Sequence, residues 1–252
     1  MSAWPVVQQS CLRTWRKTLR RPVILTFSFV QPLLWMVFFG FLFARYPLSE
    51  TPGLTYLDYL APGVSVMTVL FGASQSGIGL IRDLQTGFLV RLWSTPTHPG
   101  LILAGKLLAD VLRLLVQALL VLALASLLGA RLQPAVTAVP LAVLALVLFA
   151  IALCSLSCLI ALLTRAQEGM AVFVHLVNMP LLFTSTALVP SKHMPDWLAR
   201  LCRYNPLTLA VDAWRDATLF GRGTGSTSLG VLALLAAVLA AALALALGRS
   251  AE

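Results

Sequence analysis

The sequence predicts an all-α membrane protein with six transmembrane helices. Of its 252 residues, 59% are hydrophobic and only 11% are charged, and the mean hydropathy is +0.90. A soluble domain of this length has no interior large enough for so much apolar side chain, so we expect the bilayer to be its solvent. The apolar residues also fall into six runs, each able to supply the roughly 20 residues that a helix needs to cross.

Residues 5–21 are predicted to form an interfacial helix. Val7, Cys11, Trp15 and Leu19 recur every four residues, and basic residues occupy the other side. A cationic amphipathic helix of this kind lies in the headgroup layer, and its positive charges hold this end in the cytoplasm. A signal peptide does not fit, because the apolar run that follows is too long and ends in no small-residue cleavage site.

Intervals free of charge predict the membrane spans at residues 22–44, 59–81, 105–130, 137–163, 169–190 and 226–248. The third span reaches full length only by including Lys106, Asp110 and Arg113. These three share one helical face, where they can form a structural ion pair, extend toward the cytoplasm or take part in transport. An even number of spans after a cytoplasmic start places both termini in the cytoplasm.

Residues 191–222 form an external segment that is too charged to cross. It contains two potential short helices divided at Asn205-Pro206. We expect them to re-enter the membrane or to lie at its surface, since irregular backbone at that depth is tolerated only where protein covers it. The five basic residues of this segment fit an external position less well, because basic residues favour the cytoplasmic side.

Residues 82–100 interrupt the apolar pattern between the second and third spans. Charged and helix-breaking residues surround an apolar side made of Phe88, Leu92 and Trp93. The segment is either a plain loop or a small amphipathic helix that lies across the cytoplasmic mouth and contacts a soluble partner.

Several short motifs, in their order and spacing, resemble the membrane subunits of type-2 ABC exporters, particularly the permeases of daunorubicin-resistance and nodulation-factor exporters. The resemblance covers nearly the whole chain. The motifs are the cationic first helix, Tyr59-Leu60-Ala61-Pro62-Gly63, Asp83 with Gly87 and Thr95-Pro96, Leu188-Val189-Pro190, Met194-Pro195-Asp196-Trp197, Asn205-Pro206-Leu207 and Asp212-Ala213-Trp214-Arg215.

The resemblance implies a complex of two permeases, identical or similar, with a dimer of soluble ABC-type ATPases. The loop between the second and third spans would be the coupling helix, formed by Asp83, Gly87, Phe88, Arg91, Leu92, Trp93 and Pro96. The segment before the sixth span would form an external gate, with Pro190, Trp197, Asn205, Pro206, Asp212 and Arg215. The coupling loop departs from the pattern in having few charges, so its docking would depend mainly on apolar packing.

Polar residues within apolar spans are candidates for a substrate path: Gln31, Ser65, Thr68, Ser74, Gln75, Asn178, Thr184 and Ser185. The alternative is that they bond their own backbone or pair between helices. A path rich in Phe, Leu and hydroxyl groups suits a hydrophobic or amphiphilic drug-like or lipid-like molecule. A lipid-linked saccharide or polysaccharide is the alternative cargo.

Other functional classes fit the sequence less well. Gly100 to Lys106 has the spacing of a nucleotide-binding loop, but Leu107 stands where Ser or Thr would hold magnesium, and no strand precedes it. We therefore expect no cofactor in this chain, with ATP and magnesium on the partner.

Ser74 and His175 loosely suggest an intramembrane hydrolase. A passive channel or secondary transporter would more typically carry deeply buried acids or inverted repeats. The four cysteines have no metal-site spacing, so no metal is predicted.

Overall fold

The computed structural model describes residues 8–15, 22–43, 54–87 and 99–251, and these are helical without any strand. We label the α-helices in chain order. They are α1 (residues 8–15), α2 (Pro22–Leu42), α3 (Tyr56–Gln85), α4 (Pro99–Leu127), α5 (Val139–Thr164), α6 (Gln167–Phe173), α7 (Met179–Phe183), α8 (Asp196–Tyr204), α9 (Pro206–Arg215) and α10 (Ser226–Ala251).

Among the described residues, four helices are long and apolar enough to cross a membrane: α3, α4, α5 and α10. This confirms the prediction of an all-helical membrane protein. Crossing by α2 and by the fifth predicted span stays a prediction. The fifth span is interrupted, because a π-helical turn from Val174 to Asn178 separates α6 from α7, and Pro180 lies in the first turn of α7.

Helix α3 is the centre of the fold and packs against α2, α4, α5 and α9. Two glycines allow this close packing. A Cβ on Gly63 would clash with the carbonyl oxygen of Ala187, and a Cβ on Gly77 would clash with the backbone of Ser157 in α5. Small residues allow helices to approach closely where the surrounding solvent is lipid. The spacing of α3 from its neighbours therefore depends on these two positions.

The segment between α7 and α10 contains one exposed and one buried helix. Helix α8 is mostly exposed, whereas α9 packs between α3 and α5 with Leu207, Val211 and Trp214 buried. Asn205 divides the two helices. Its side-chain oxygen accepts a 2.8 Å hydrogen bond from the Leu207 amide and so caps α9, while its Nδ2 donates to the Leu181 carbonyl at 2.7 Å.

The start of α3 is fixed by a capping box that links it to the loop after α4. The Asp58 carboxylate is fully buried and accepts hydrogen bonds from the amide and hydroxyl of Thr55, both at 2.7 Å. Its other oxygen accepts from the Arg131 amide at 2.5 Å. A buried carboxylate is tolerated here because backbone and hydroxyl donors satisfy both of its oxygens.

Candidate functional site

Arg215 forms the centre of a polar cluster where α9, α3 and the turn after α7 meet. Its guanidinium lies 3.7 Å from the centre of the Tyr59 ring, and Nη2 donates to the Thr186 carbonyl at 3.0 Å. Nη1 donates to Asp212 at 3.2 Å. Only 5% of Arg215 is exposed, so these contacts hold a cation largely away from solvent.

The turn at residues 184–188 is hydrogen-bonded to both α3 and α9. The hydroxyls of Tyr56 and Tyr59 donate to the carbonyls of Leu188 and Thr186, at 2.9 and 2.8 Å. Thr186 in turn donates to Asp212 at 2.7 Å. The turn, the first part of α3 and α9 therefore form a single bonded unit, which we call the outer cluster because it lies at the segment predicted to be external.

Three of the residues predicted for the external gate belong to this region. Asp212 and Arg215 lie within the outer cluster, and Asn205 Nδ2 donates to the backbone and hydroxyl oxygens of Thr184. Pro206 opens α9 directly beside Asn205. By contrast, Trp197 projects from the exposed helix α8, and Pro190 is half-buried at the start of the 3₁₀ turn Ser191–His193.

A cavity of about 250 Å³ lies between α2, α3 and α4, open on one side. Apolar and aromatic side chains make up most of its wall, with a few polar groups among them. The lining residues are Gln31, Pro32, Trp35, Met67, Thr68, Phe71, Gly72, Ser74, Gln75, Gln117 and Met179.

Four of the eight residues predicted for the substrate path line this cavity: Gln31, Thr68, Ser74 and Gln75. Asn178 lies behind them, with its Nδ2 donating to Ser74 Oγ at 2.8 Å. The hydroxyls of Ser65, Thr184 and Ser185 instead donate to carbonyls of their own chain segment, those of Pro62, Pro180 and Leu182. These three hydroxyls make the local backbone bonds that the alternative interpretation describes.

A buried polar cluster on α4 lies beside the cavity. Lys106 Nζ donates to Asp110 at 2.6 Å and to the hydroxyl of Ser76 at 2.7 Å, and Ser76 also donates to Asp110. Arg113 Nη2 donates to the Gly72 carbonyl at 3.1 Å. The predicted pairing of Lys106 with Asp110 is thus confirmed, and the pair is bonded across to α3.

Comparison of the sequence with known protein families identifies the family of this chain. The family described as ABC-2 type transporter matches residues 6–219, which is most of the chain. The chain belongs to the ABC-2 type transporter family. It is thus an ABC transporter permease, and its named relatives are permeases, which are transport components rather than catalysts. Membership of the family implies association with an ABC ATPase subunit.

Named relatives of this permease include transport and drug-resistance proteins. It is 33% identical over 200 residues to a putative transport permease ycf38 of Cyanophora paradoxa, covering 78% of this chain and 68% of the relative. It is 30% identical over 195 residues to the daunorubicin resistance ABC transporter permease protein DrrB1 of Streptomyces coeruleorubidus, covering 77% and 68%. It is 28% identical over 196 residues to the probable doxorubicin resistance permease protein DrrC of Mycobacterium tuberculosis, covering 77% and 70%.

At the predicted cytoplasmic end of the permease, α3 extends four residues into the segment predicted as the coupling loop, residues 82–100. The helix ends at Gln85, and Gly87 takes a φ of +67°, a left-handed conformation that glycine adopts without strain. Asp83, in the last turn, lies 3.9 Å from the guanidinium of Arg13 in α1. The remaining predicted coupling residues, Phe88, Arg91, Leu92, Trp93 and Pro96, lie outside the described residues.

Two functional candidates escaped the sequence analysis. Asp58 was missed, although Thr55-x-x-Asp58 just before an apolar run has the spacing of a capping box. Gln117 was also missed. It continues the spacing of Lys106, Asp110 and Arg113 along the same face of α4, so extending that pattern by one turn would have found it.

Proposed function

We propose that the chain is the membrane-spanning permease subunit of an ATP-driven exporter. It moves a hydrophobic or amphiphilic molecule, drug-like or lipid-like, out of the cytoplasm or the inner leaflet. The observation that carries this proposal is the cavity between α2, α3 and α4, whose wall is mostly apolar and includes Trp35 and Phe71. Small-molecule sites are generally concave, mostly apolar and furnished with a few placed polar groups.

The outer cluster supports alternating access. Arg215 and Thr186 join α9 and the turn after α7 to the start of α3 through short bonds between separate elements. These bonds are formed in the described residues. Release to the outside requires the cluster to separate, and access from the other side requires it to stay together. A closure made of a few bonds between rigid helices can exist in two discrete arrangements.

Energy comes from a separate ABC-type ATPase dimer, which holds ATP and magnesium. It docks on the coupling loop at residues 82–100, with Phe88, Leu92 and Trp93 packing against it and Asp83 and Arg91 orienting it. Two permeases, either two copies or a copy and a paralogue, complete the complex. We place it in a bacterial cytoplasmic membrane with both termini in the cytoplasm.

Co-purification with its ATPase, followed by transport in proteoliposomes, tests the proposal. Replacing Phe88 and Leu92 with Asp introduces charge into the apolar docking contact, so we expect transport to be lost. Leu201→Asp is the matched control, because Leu201 is an exposed leucine on α8, far along the chain from the coupling loop. Unchanged transport in the Phe88 and Leu92 variant would reject the docking assignment. An ATPase activity that rises with a glycolipid and ignores hydrophobic drugs would reject the cargo.

A further inference from the structure

One polar group in the cavity wall has an unused hydrogen-bond donor. Gln117 is only 3% exposed and lines the cavity from α4. Arg113 Nη1 donates to its Oε1 at 3.1 Å. Because a guanidinium can only donate, it fixes the amide with its oxygen toward Arg113 and its nitrogen turned the other way. Within the described part of the chain, that nitrogen has no hydrogen-bond partner.

An unpaired buried amide donor is costly. Leaving such a group without a partner costs about 1–3 kcal/mol, and native proteins contain few of them. Of the other polar groups in the cavity wall, Ser74 accepts from Asn178 and Thr68 donates to the Ser65 carbonyl, whereas Gln31 and Gln75 are exposed. Gln117 therefore stands out as the donor that a bound molecule would satisfy.

We propose that the cavity is a subsite for a flat, largely apolar group that carries a carbonyl or similar acceptor oxygen, which Gln117 Nε2 binds. This inference rests on the proposed exporter function and names the chemistry of its cargo. The residue that makes the key contact of this subsite, Gln117, is not one of the residues predicted for the substrate path.

The size and wall of the cavity set the shape of this group. A cavity of roughly 150 Å³ lined by apolar residues holds one benzene molecule. A cavity of about 250 Å³ therefore has room for a fused two-ring system. The side chains of Trp35 and Phe71 offer aromatic surface to such rings, and the thioethers of Met67 and Met179 adapt to their outline.

The charges behind Gln117 select the kind of polar atom. Lys106 and Arg113 carry two positive charges, and Asp110 between them carries one negative charge. The excess positive charge lies on the side of Gln117 that Arg113 occupies. It favours an electronegative oxygen at the amide and disfavours an ammonium group. The subsite thus selects an acceptor over a cation.

The test compares two probes of nearly the same shape, 2-acetylnaphthalene and 2-isopropenylnaphthalene, binding to the full-length permease in lipid nanodiscs. Only the first carries an acceptor oxygen. After subtraction of partitioning into empty nanodiscs, we expect wild-type permease to bind the ketone about tenfold more tightly than the hydrocarbon. In Gln117→Leu this preference disappears. In Gln133→Leu, the same change at an exposed site outside the cavity, it remains.

Equal binding of the two probes to the wild type would overturn the proposal, and so would a ketone preference that survives in Gln117→Leu. The wild-type comparison decides the matter even where the variant does not fold. The binding assay needs no ATPase, so it separates the two levels of inference. A ketone preference in a chain that supports no ATP-driven transport would reject the exporter and keep the subsite, whereas transport without the preference would reject the subsite alone.

Discussion

The guanidinium of Arg215 stacks on the ring of Tyr59, 3.7 Å from its centre, although the two residues lie far apart in the chain. The same guanidinium donates through Nη2 to the carbonyls of Tyr59 and Thr186, at 3.4 and 3.0 Å. One planar side chain thus joins α9, the first turn of α3 and the turn after α7. These contacts use the charge, the flat face and both terminal nitrogens of Arg215. Lysine keeps the charge but lacks the flat face and the rigid fork of donors.

Arg215→Lys should therefore weaken the outer cluster although it keeps the charge. We expect a loss of about 1–3 kcal/mol in the free energy of unfolding, because stacking on Tyr59 and one or more charged hydrogen bonds disappear. Thermal melting of the purified permease measures this loss. Arg200→Lys is the control, since Arg200 is exposed on α8 and makes only a 3.4 Å bond to the Asp196 carbonyl. Equal melting temperatures for the two variants would show that the cluster does not depend on the guanidinium.

The contact between α3 and the turn after α7 depends on a missing side chain. At Gly63 an added Cβ would clash with the backbone oxygen of Ala187, which cannot move away as a flexible side chain could. We expect Gly63→Ala to destabilise the permease by about 1–3 kcal/mol, as overpacking does elsewhere. Thermal unfolding, monitored through the loss of the helical signal, measures this change in stability.

The matched control for this substitution lies on the same helix. Gly79 is also inside α3, but an added Cβ there meets no atom within 4 Å. Gly79→Ala should stabilise the helix by roughly 0.5–1 kcal/mol, because alanine has the higher helix propensity. If both substitutions shift the melting temperature in the same direction, the close approach at Gly63 does not limit the packing.

The sequence predicted the features that depend on neighbours in the chain. Lys106, Asp110 and Arg113 share a face because of helical periodicity alone, and Asn205-Pro206 divides two helices through local backbone chemistry. Contacts between segments that are distant in the chain could not be predicted in this way. Nothing near Tyr59 indicates Arg215 as its partner, and nothing near Gln117 indicates that its nitrogen is unpaired.

The sequence alone also did not separate polar residues that line the cavity from those that lie away from it. Ser65 and Ser185 donate their hydroxyls to nearby carbonyls, at 2.8 and 2.7 Å, and do not line the cavity. Thr68 makes the same kind of local bond, to the Ser65 carbonyl, and yet lies on the cavity with Ser74. A serine looks the same in sequence in both cases, because a helix offers it a carbonyl three or four residues earlier. Only the positions of neighbouring helices separate the two roles.

Removing one partner of the buried pair of Lys106 and Asp110 should cost far more stability than removing one partner of the more exposed pair of Arg13 and Asp83. Asp110→Asn removes the charge that balances Lys106 inside the protein, and breaking such a buried pair costs about 3–5 kcal/mol. Asp83→Asn removes an interaction whose Arg13 side chain is 44% exposed, which typically costs under about 1 kcal/mol. Urea or thermal unfolding of both variants compares the two costs.

A double variant tests whether the pairing itself is responsible. Lys106→Met with Asp110→Leu removes both charges of the pair, and we expect it to recover part of the stability lost in Asp110→Asn, because one unbalanced cation, Arg113, then remains instead of two. A double variant that is less stable than Asp110→Asn would contradict this. It would assign the loss to the hydrogen bonds with Ser76 instead.

The topology proposed for residues 191–222 can be tested with a membrane-impermeant maleimide on intact cells. The native Cys202 is a poor reporter, since it is buried and its burial raises the pKa of its thiol, which lowers the fraction of reactive thiolate. Ser191 is exposed, so Ser191→Cys supplies an accessible thiol in the same segment. We expect Ser191→Cys to be labelled in intact cells and the wild type to remain unlabelled. Thr164→Cys, exposed at the predicted cytoplasmic end of α5, should be labelled only after the cells are opened. The reverse labelling pattern would show that the permease has the opposite orientation in the membrane. The outer cluster would then lie on the ATPase side, where it could not act as the outer closure.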